Sequence, residues 1–210
     1  VLIVGAGSGN DVAAAIRNGA GSIDAVEIEP MIYRIGSELH PEFPYQNSTV
    51  KIHLTDARQF IRRSDGRYDL IVYGLLDSHA VLSARAGGVR LDSFVYTVEA
   101  FREARALLKP GGIFALSFVN MSPAFSKKML LMLQQAFDGA KPKIYEAGYD
   151  SGLSYIVTDS SAAPAARLQE SAAITFSEVS ERLSALPDSV DPSTDDWPFV
   201  YMPQRAYPLN

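Results

Sequence analysis

Val1-Leu2-Ile3-Val4-Gly5-Ala6-Gly7-Ser8-Gly9-Asn10 is the stretch on which the fold of this chain turns. Four consecutive apolar residues read as a strand buried on both faces, as central strands of parallel sheets are. The glycines that follow let the backbone turn tightly, come close to a ligand and aim the N–H groups of the next helix at it. A dinucleotide fingerprint would place a third packing glycine at position 10, where Asn10 stands, so the pattern is GxGxG and not that of the NAD sites. A buried strand at the very first residue, with no Met and no lead-in, predicts a piece of a longer chain.

Outward from that turn, β-branched runs alternate with helical periods. Asn10–Asn18 predicts a helix with Val12, Ala15 and Ile16 inward and Gly19 as its C-cap. Strands are predicted at Ser22–Ile28, Val50–Leu54, Tyr68–Tyr73 and Ile113–Phe118. Tyr68–Tyr73 reads as buried on both faces. Helices are predicted from Pro30, over Asp56–Arg63, from a Thr97 N-cap through Leu108, and from Pro123 to about Phe137. Lys143–Gly148 and Leu153–Thr158 read as an antiparallel hairpin. The fold expected is α/β and doubly wound: a mostly parallel seven-stranded sheet with a C-terminal antiparallel hairpin and helices on both faces. Residues 1–159 would form that domain and 160–210 a helical and irregular extension packed on it.

The 210 residues are 47% hydrophobic and 20% charged, which suits a globular core. A net charge of -5 argues against nucleic acid as a partner. With no cysteine, disulfides, thiolate zinc sites and cysteine nucleophiles are excluded. His40, His53 and His79 lack metal spacing, so no metal is expected.

Two acids lie at the carboxyl ends of strands beside the glycine turn, where open α/β sheets bind ligands. Glu27 ends the second strand and can accept both ribose hydroxyls of a nucleotide. Asp56, just past the third, either accepts from an adenine amino group or caps the next helix. Arg58, Arg62 and Arg63 read as a solvated face. Asp77, Asp92, Asp195 and Asp196 either form an acidic wall for a cationic acceptor or are separate loop and cap acids. Trp197 either closes over a substrate or pins the tail to the core.

Val1–Pro30, Thr55–Phe60, Tyr68–Ser78, Leu108–Phe118 and Tyr149–Tyr155 together resemble the spermidine synthase family, in order, over about Val1–Asp159. The resemblance implies a doubly wound Rossmann-like fold of the methyltransferase type and an S-adenosylmethionine or decarboxylated S-adenosylmethionine site, with methylthioadenosine or S-adenosylhomocysteine as product. Gly5, Ala6, Gly7, Ser8 and Gly9 with Glu27 would hold the methionine and ribose parts, Asp56 and Ala57 the adenine, and Gly74 would border the same ligand. Asp77 and Tyr149 would meet a polyamine-type substrate, with Asp77 the surviving acid of the catalytic segment. In that family the position matching Gly74 carries the acid taken as the base, and a glycine cannot accept a proton. His79, beside Asp77, is a candidate substitute base.

The implied activity is therefore aminopropyl transfer with an altered base position, with methyl transfer or non-catalytic nucleotide sensing as the alternatives. Homodimer formation is also implied. Arg90–Thr97 and Asp195–Phe199 resemble segments of bacterial spermidine synthase-like proteins that carry transmembrane helices, which implies a cytoplasmic domain of an inner-membrane protein.

Overall fold

The computed structural model describes residues 1–74, 91–119, 121–147, 152–158 and 175–205. The chain alternates β1 (Leu2–Val4), α1 (Asn10–Arg17), β2 (Ile23–Glu27), α2 (Pro30–Leu39), β3 (Val50–Leu54), α3 (Ala57–Arg63) and β4 (Tyr68–Tyr73). It continues with α4 (Val98–Arg105), β5 (Leu108–Val119), α5 (Pro123–Ala136), β6 (Lys143–Ala147), β7 (Gly152–Thr158), β8 (Phe176–Glu178) and α6 (Ser180–Ser184). One sheet runs β3-β2-β1-β4-β5-β7-β6-β8. The first five strands pair in parallel; β7 slots antiparallel between β5 and β6, and β8 is antiparallel to β6.

The doubly wound character is visible in three residues. Leu2 and Val4 belong to the large apolar core on one face, while Ile3 belongs to the smaller one on the other. All three are fully buried. This is the pleat of a central strand read directly, with successive side chains on opposite faces. The larger core is built around Tyr73, Phe101, Phe114 and Phe137, whose rings meet at centroid distances of 5.0 to 5.8 Å.

Helix starts follow their local signals. Asp56, Thr97 and Ser122 each cap a helix by accepting from the backbone N–H three residues on, an arrangement that stabilises by about 1 kcal/mol each. Pro30 and Pro123 occupy the first helical turn, where no backbone donor is lost.

Three expectations change. The sheet has eight strands, because Phe176–Glu178 adds to the free edge of β6, a pairing three residues long with too little pattern to stand out in sequence. Helix α4 stops at Arg105 and Leu108 joins the following strand, which absorbs Lys109–Gly112 as an irregularity: Tyr68 pairs with Leu108, but Leu70 pairs with Ile113. Gly111, at φ 76°, supplies the left-handed residue this needs. Strand β4 is not buried throughout, since Asp69 is exposed and Val72 half-buried.

The tail packs on α4 and α5. Val98 N–H donates to the Ser193 carbonyl at 3.0 Å. Lys128 of α5 is fully buried, and its Nζ donates to the Phe199 and Met202 carbonyls, both at 2.7 Å. The ammonium lies 4.4 Å from the Trp197 ring centroid, so Trp197 pins the tail through a cation–π contact. Among the described residues no helix is long and apolar enough to cross a membrane.

Burial pulls the Lys128 ammonium down to about 7, against the opposing pull of Asp191. Between that value and the ordinary 10.5 the unfolded chain binds more protons at this group than the folded one does. Its contribution to stability therefore rises with pH across that window and levels off below it. Urea unfolding at about pH 7 and about pH 9.5 should show that rise, and Lys128→Met should remove it. The same slope in both proteins would mean that Lys128 titrates as an ordinary lysine.

Candidate functional site

The Gly5–Gly9 turn is held from below. Gly5 and Ala6 N–H both donate to the Val26 carbonyl at 2.9 Å, and Gly9 N–H closes the turn on the Ala6 carbonyl at 2.9 Å. Gly5, Gly7 and Gly9 take φ of 71°, 55° and 101°, in the left-handed region that favours glycine. Tyr45 O–H donates to the Gly7 carbonyl at 2.7 Å from the side of α2 and the following turn. Helix α2 approaches so closely that a Cβ on Gly36 would stand 2.3 Å from the Ser8 carbonyl oxygen.

Glu27 is the brace of this arrangement. One carboxylate oxygen accepts from Gly7 N–H at 2.7 Å and the other from Glu29 N–H at 2.8 Å. Only 6% of the residue is exposed. A carboxylate has about four acceptor positions, so two remain for ligand hydroxyls. Glu29 accepts from Met31 N–H at 3.0 Å and so caps α2.

Above the turn lies a cavity of about 320 Å³ lined by Gly5, Ala6, Gly7, Ser8, Asn10, Asp11, Val72, Gly74 and Ser117. It opens where the sheet order reverses, between β1 and β4, which is the place open α/β sheets bind ligands. Helix α1 begins there without a side-chain cap, leaving its first N–H groups available. Five of the candidate residues read from sequence, Gly5, Ala6, Gly7, Ser8 and Gly74, thus line one cavity. Gly9 faces Pro44 and Tyr45 instead. Glu27, Asp56 and Ala57 do not line this cavity. Glu27 supports it from beneath, while Asp56 takes up its capping alternative, with Oδ1 accepting from Gln59 N–H at 2.8 Å. Asp77, His79 and Tyr149 lie outside the described residues, as does the side chain of Asp92.

Two sequence readings are corrected. Arg58 is not solvated: it is 6% exposed. It donates to Glu103 Oε1 at 2.9 Å, to Asp195 at 3.0 and 2.9 Å, and to the Phe94 carbonyl at 2.7 Å. Burial acts to lower its pKa, but the hydrogen bonds it donates to Glu103 and Asp195 raise it overall. Asp195 is spent in this pairing and is no part of an acidic wall. Burial works to raise its carboxyl, and Arg58 and Thr97 more than offset that, holding it below the usual range. Arg58 stands three residues before buried Ile61, one face of a helix apart, which is the signal for its burial. Asp196, by contrast, is exposed and bonded to Thr194.

The two described histidines, His40 and His53, are structural. His40 Nδ1 accepts from Glu42 N–H at 3.1 Å, which leaves Nε2 to donate to Asn10 Oδ1 at 3.0 Å. His53 pairs with Asp24 at 2.7 Å. No group of three metal-ligating side chains occurs among the described residues. Sequence reasoning missed Asp11, Asn10 and Ser117 as cavity residues. An acid in the first turn of a helix is so common that Asp11 carried no signal of its own.

Residues 1–147 match the family model described as spermine/spermidine synthase domain. The fold is similar to that of a spermidine synthase solved with the transition-state analogue AdoDATO, at TM-score 0.55 and 12% identity over 76% of this chain and 52% of that one. The Thermotoga maritima spermidine synthase gives 0.55 and 12% over 76% and 53%. Human methyltransferase-like protein 13, solved with SAH, gives 0.59 and 20% over 79% and 73%. The chain spans about half the length of the spermidine synthases it resembles. At these identities the likeness is one of fold.

Glu27→Gln would turn an amide donor toward either the Gly7 or the Glu29 N–H. We expect a loss of about 1–3 kcal/mol in urea-unfolding free energy. Unchanged stability would show that the brace is dispensable.

Proposed function

The chain belongs to the spermine/spermidine synthase domain family, and from that premise we propose that it binds an S-adenosyl sulfonium nucleoside over the glycine turn and transfers its aminopropyl group to a polyamine-type amine. The observation that carries this reading is the Glu27 carboxylate hydrogen-bonded to Gly7 N–H beneath a cavity at the switch point of the sheet. That geometry suits a nucleoside whose sulfonium chain runs along the turn in the cavity and whose ribose extends past the cavity's edge toward Glu27. The residues present fit such a ligand: a cavity lined by the Gly5–Ser8 turn, two acceptor positions left on Glu27, and open space above Gly7, where an added Cβ would meet nothing nearer than 4.0 Å. Asp56 Oδ2 has no hydrogen-bond partner among the described residues and is assigned to the adenine edge.

In aminopropyl transfer an amine nitrogen bonds to the carbon beside sulfur, the C–S bond breaks with its electron pair left on sulfur, and the amine sheds one proton. The chain's share is to align donor and acceptor, which alone accounts for a large part of such rate enhancements. Asp77 and Tyr149 are assigned to the acceptor.

Methyl transfer is the second reading, favoured by one observation. Gly74 presents no side chain to take a proton, and methyl transfer depends less on a base. Incubation with decarboxylated S-adenosylmethionine and putrescine or spermidine should release methylthioadenosine, detectable by mass spectrometry. Release of S-adenosylhomocysteine from S-adenosylmethionine would favour the second reading. Binding of both ligands without any product would make the domain a sensor and sink the transferase reading.

A further inference from the structure

The peptide plane between Gly7 and Ser8 is free to turn over at little cost unless a neighbour holds it, because Gly7, at φ 55°, tolerates either hand of backbone. Two neighbours outside the cavity do so. Tyr45 O–H donates to the Gly7 carbonyl at 2.7 Å. The next carbonyl, that of Ser8, lies against α2, where a Cβ on Gly36 would stand 2.3 Å from its oxygen. Glycine inside a helix is a net cost, and Gly36 has no left-handed φ that requires it, so close approach to Ser8 is what it serves. Tyr45 is itself fixed. Its ring meets Tyr33 of α2 edge-on at a centroid distance of 5.0 Å and stands 3.2 Å from where a Cβ on Gly9 would be. Burial, with the Glu27 carboxylate nearby, pushes its phenol up from the ordinary value, so the hydroxyl keeps its proton and remains a donor.

The Gly7–Ser8 bond is trans, so the Ser8 N–H projects opposite to the Gly7 carbonyl. Gly7 and Ser8 line the cavity, whereas Tyr45 and α2 do not. With the carbonyl turned to Tyr45, the Ser8 N–H is turned toward the cavity. Among the described residues no acceptor takes that N–H. The Gly7 N–H, by contrast, is already spent on Glu27. Of these two adjacent donors, one belongs to the frame and the other is left for a ligand.

We propose that Tyr45 is a positioning residue of the nucleoside site: its hydroxyl fixes the Gly7–Ser8 plane so that the Ser8 N–H is presented to an acceptor atom of the adenosyl ligand. The assignment rests on the adenosyl reading above. It places a determinant of ligand affinity in the turn after α2, on a side chain that does not line the cavity. A plane already set for binding loses less freedom when the ligand arrives, and that saving appears as affinity. Without the hydroxyl the plane also samples the flipped arrangement, which shows the ligand a carbonyl where it needs a donor.

Calorimetric titration with methylthioadenosine and amide NMR spectra test this on the wild-type chain, on Tyr45→Phe and on Tyr45→p-aminophenylalanine, which keeps a donor on the same ring. Tyr45→Phe retains the ring against Tyr33 and Gly9. The Gly5 and Gly9 amides, held by the Val26 and Ala6 carbonyls, should therefore keep their ligand-free resonances. The variant should bind methylthioadenosine roughly 5-fold or more weakly, the scale of one net hydrogen bond. The downfield displacement of the Ser8 amide proton that the ligand causes in the wild type should shrink with it, and the p-amino variant should restore both. Unchanged affinity in Tyr45→Phe, or weaker affinity with the Ser8 displacement intact, would overturn the assignment while leaving the adenosyl reading in place. Displaced Gly5 and Gly9 resonances in Tyr45→Phe, with no rescue by the amine, would make Tyr45 a purely structural residue and overturn it as well. Failure of the wild-type protein to bind methylthioadenosine would overturn the adenosyl reading itself, and this inference with it.

Discussion

The rest of the site depends on one buried carboxylate, that of Glu27. Its two oxygens bridge the Gly7 and Glu29 N–H groups, and so tie the turn after β1 to the start of α2. Glu29 extends the chain of bonds by capping α2, and α2 in turn brings Gly36 against Ser8. A left-handed glycine turn is entropically costly to hold in one conformation. Here it is held by the Val26 carbonyl beneath, Glu27 at the edge and Tyr45 from the side. The cavity is a stable surface because of that frame. Charge-assisted bonds from N–H to carboxylate are among the stronger ones available to a backbone turn.

A second charged centre organises the opposite side of the molecule. Arg58 gathers Glu103, Asp195, Thr97 and the Phe94 carbonyl, which joins α3, α4 and the tail at one guanidinium. Only a planar fork of five donors can satisfy so many acceptors at once. Lys128 plays a related part on α5, where two tail carbonyls and the Trp197 ring receive its ammonium. The acids of the tail are therefore mostly engaged in holding it down. Asp11, on the other face of the sheet, is the acid left facing the cavity without a partner among the described residues.

Much of this architecture was legible in the residues alone, because it rests on local physics. The apolar run before Gly5, the glycines themselves, Pro30 and Pro123 in first turns and the Thr97 cap each act on neighbours within a few positions. Their signals survive in sequence for that reason, and the alternation of strands and helices that they punctuate leads to the doubly wound sheet. The place of Glu27 at the strand end beside the glycine turn was legible too, but its bracing of Gly7 and Glu29 was not.

Contacts between distant positions were decided only when the chain was packed. Arg58 looked solvated because three arginines on a short helix usually are, yet Glu103 and Asp195 come from 45 and 137 positions away to bury it. Gly74 read as a loss of function, since a glycine shows what it lacks and not what fills its place. Asp11 fills it from across the sheet, and neither residue carries a mark of the other in its own neighbourhood. Periodicity and spacing report which face a residue takes along one element. Which charge meets which space across two elements is set by strand order and helix packing, and appears only in three dimensions.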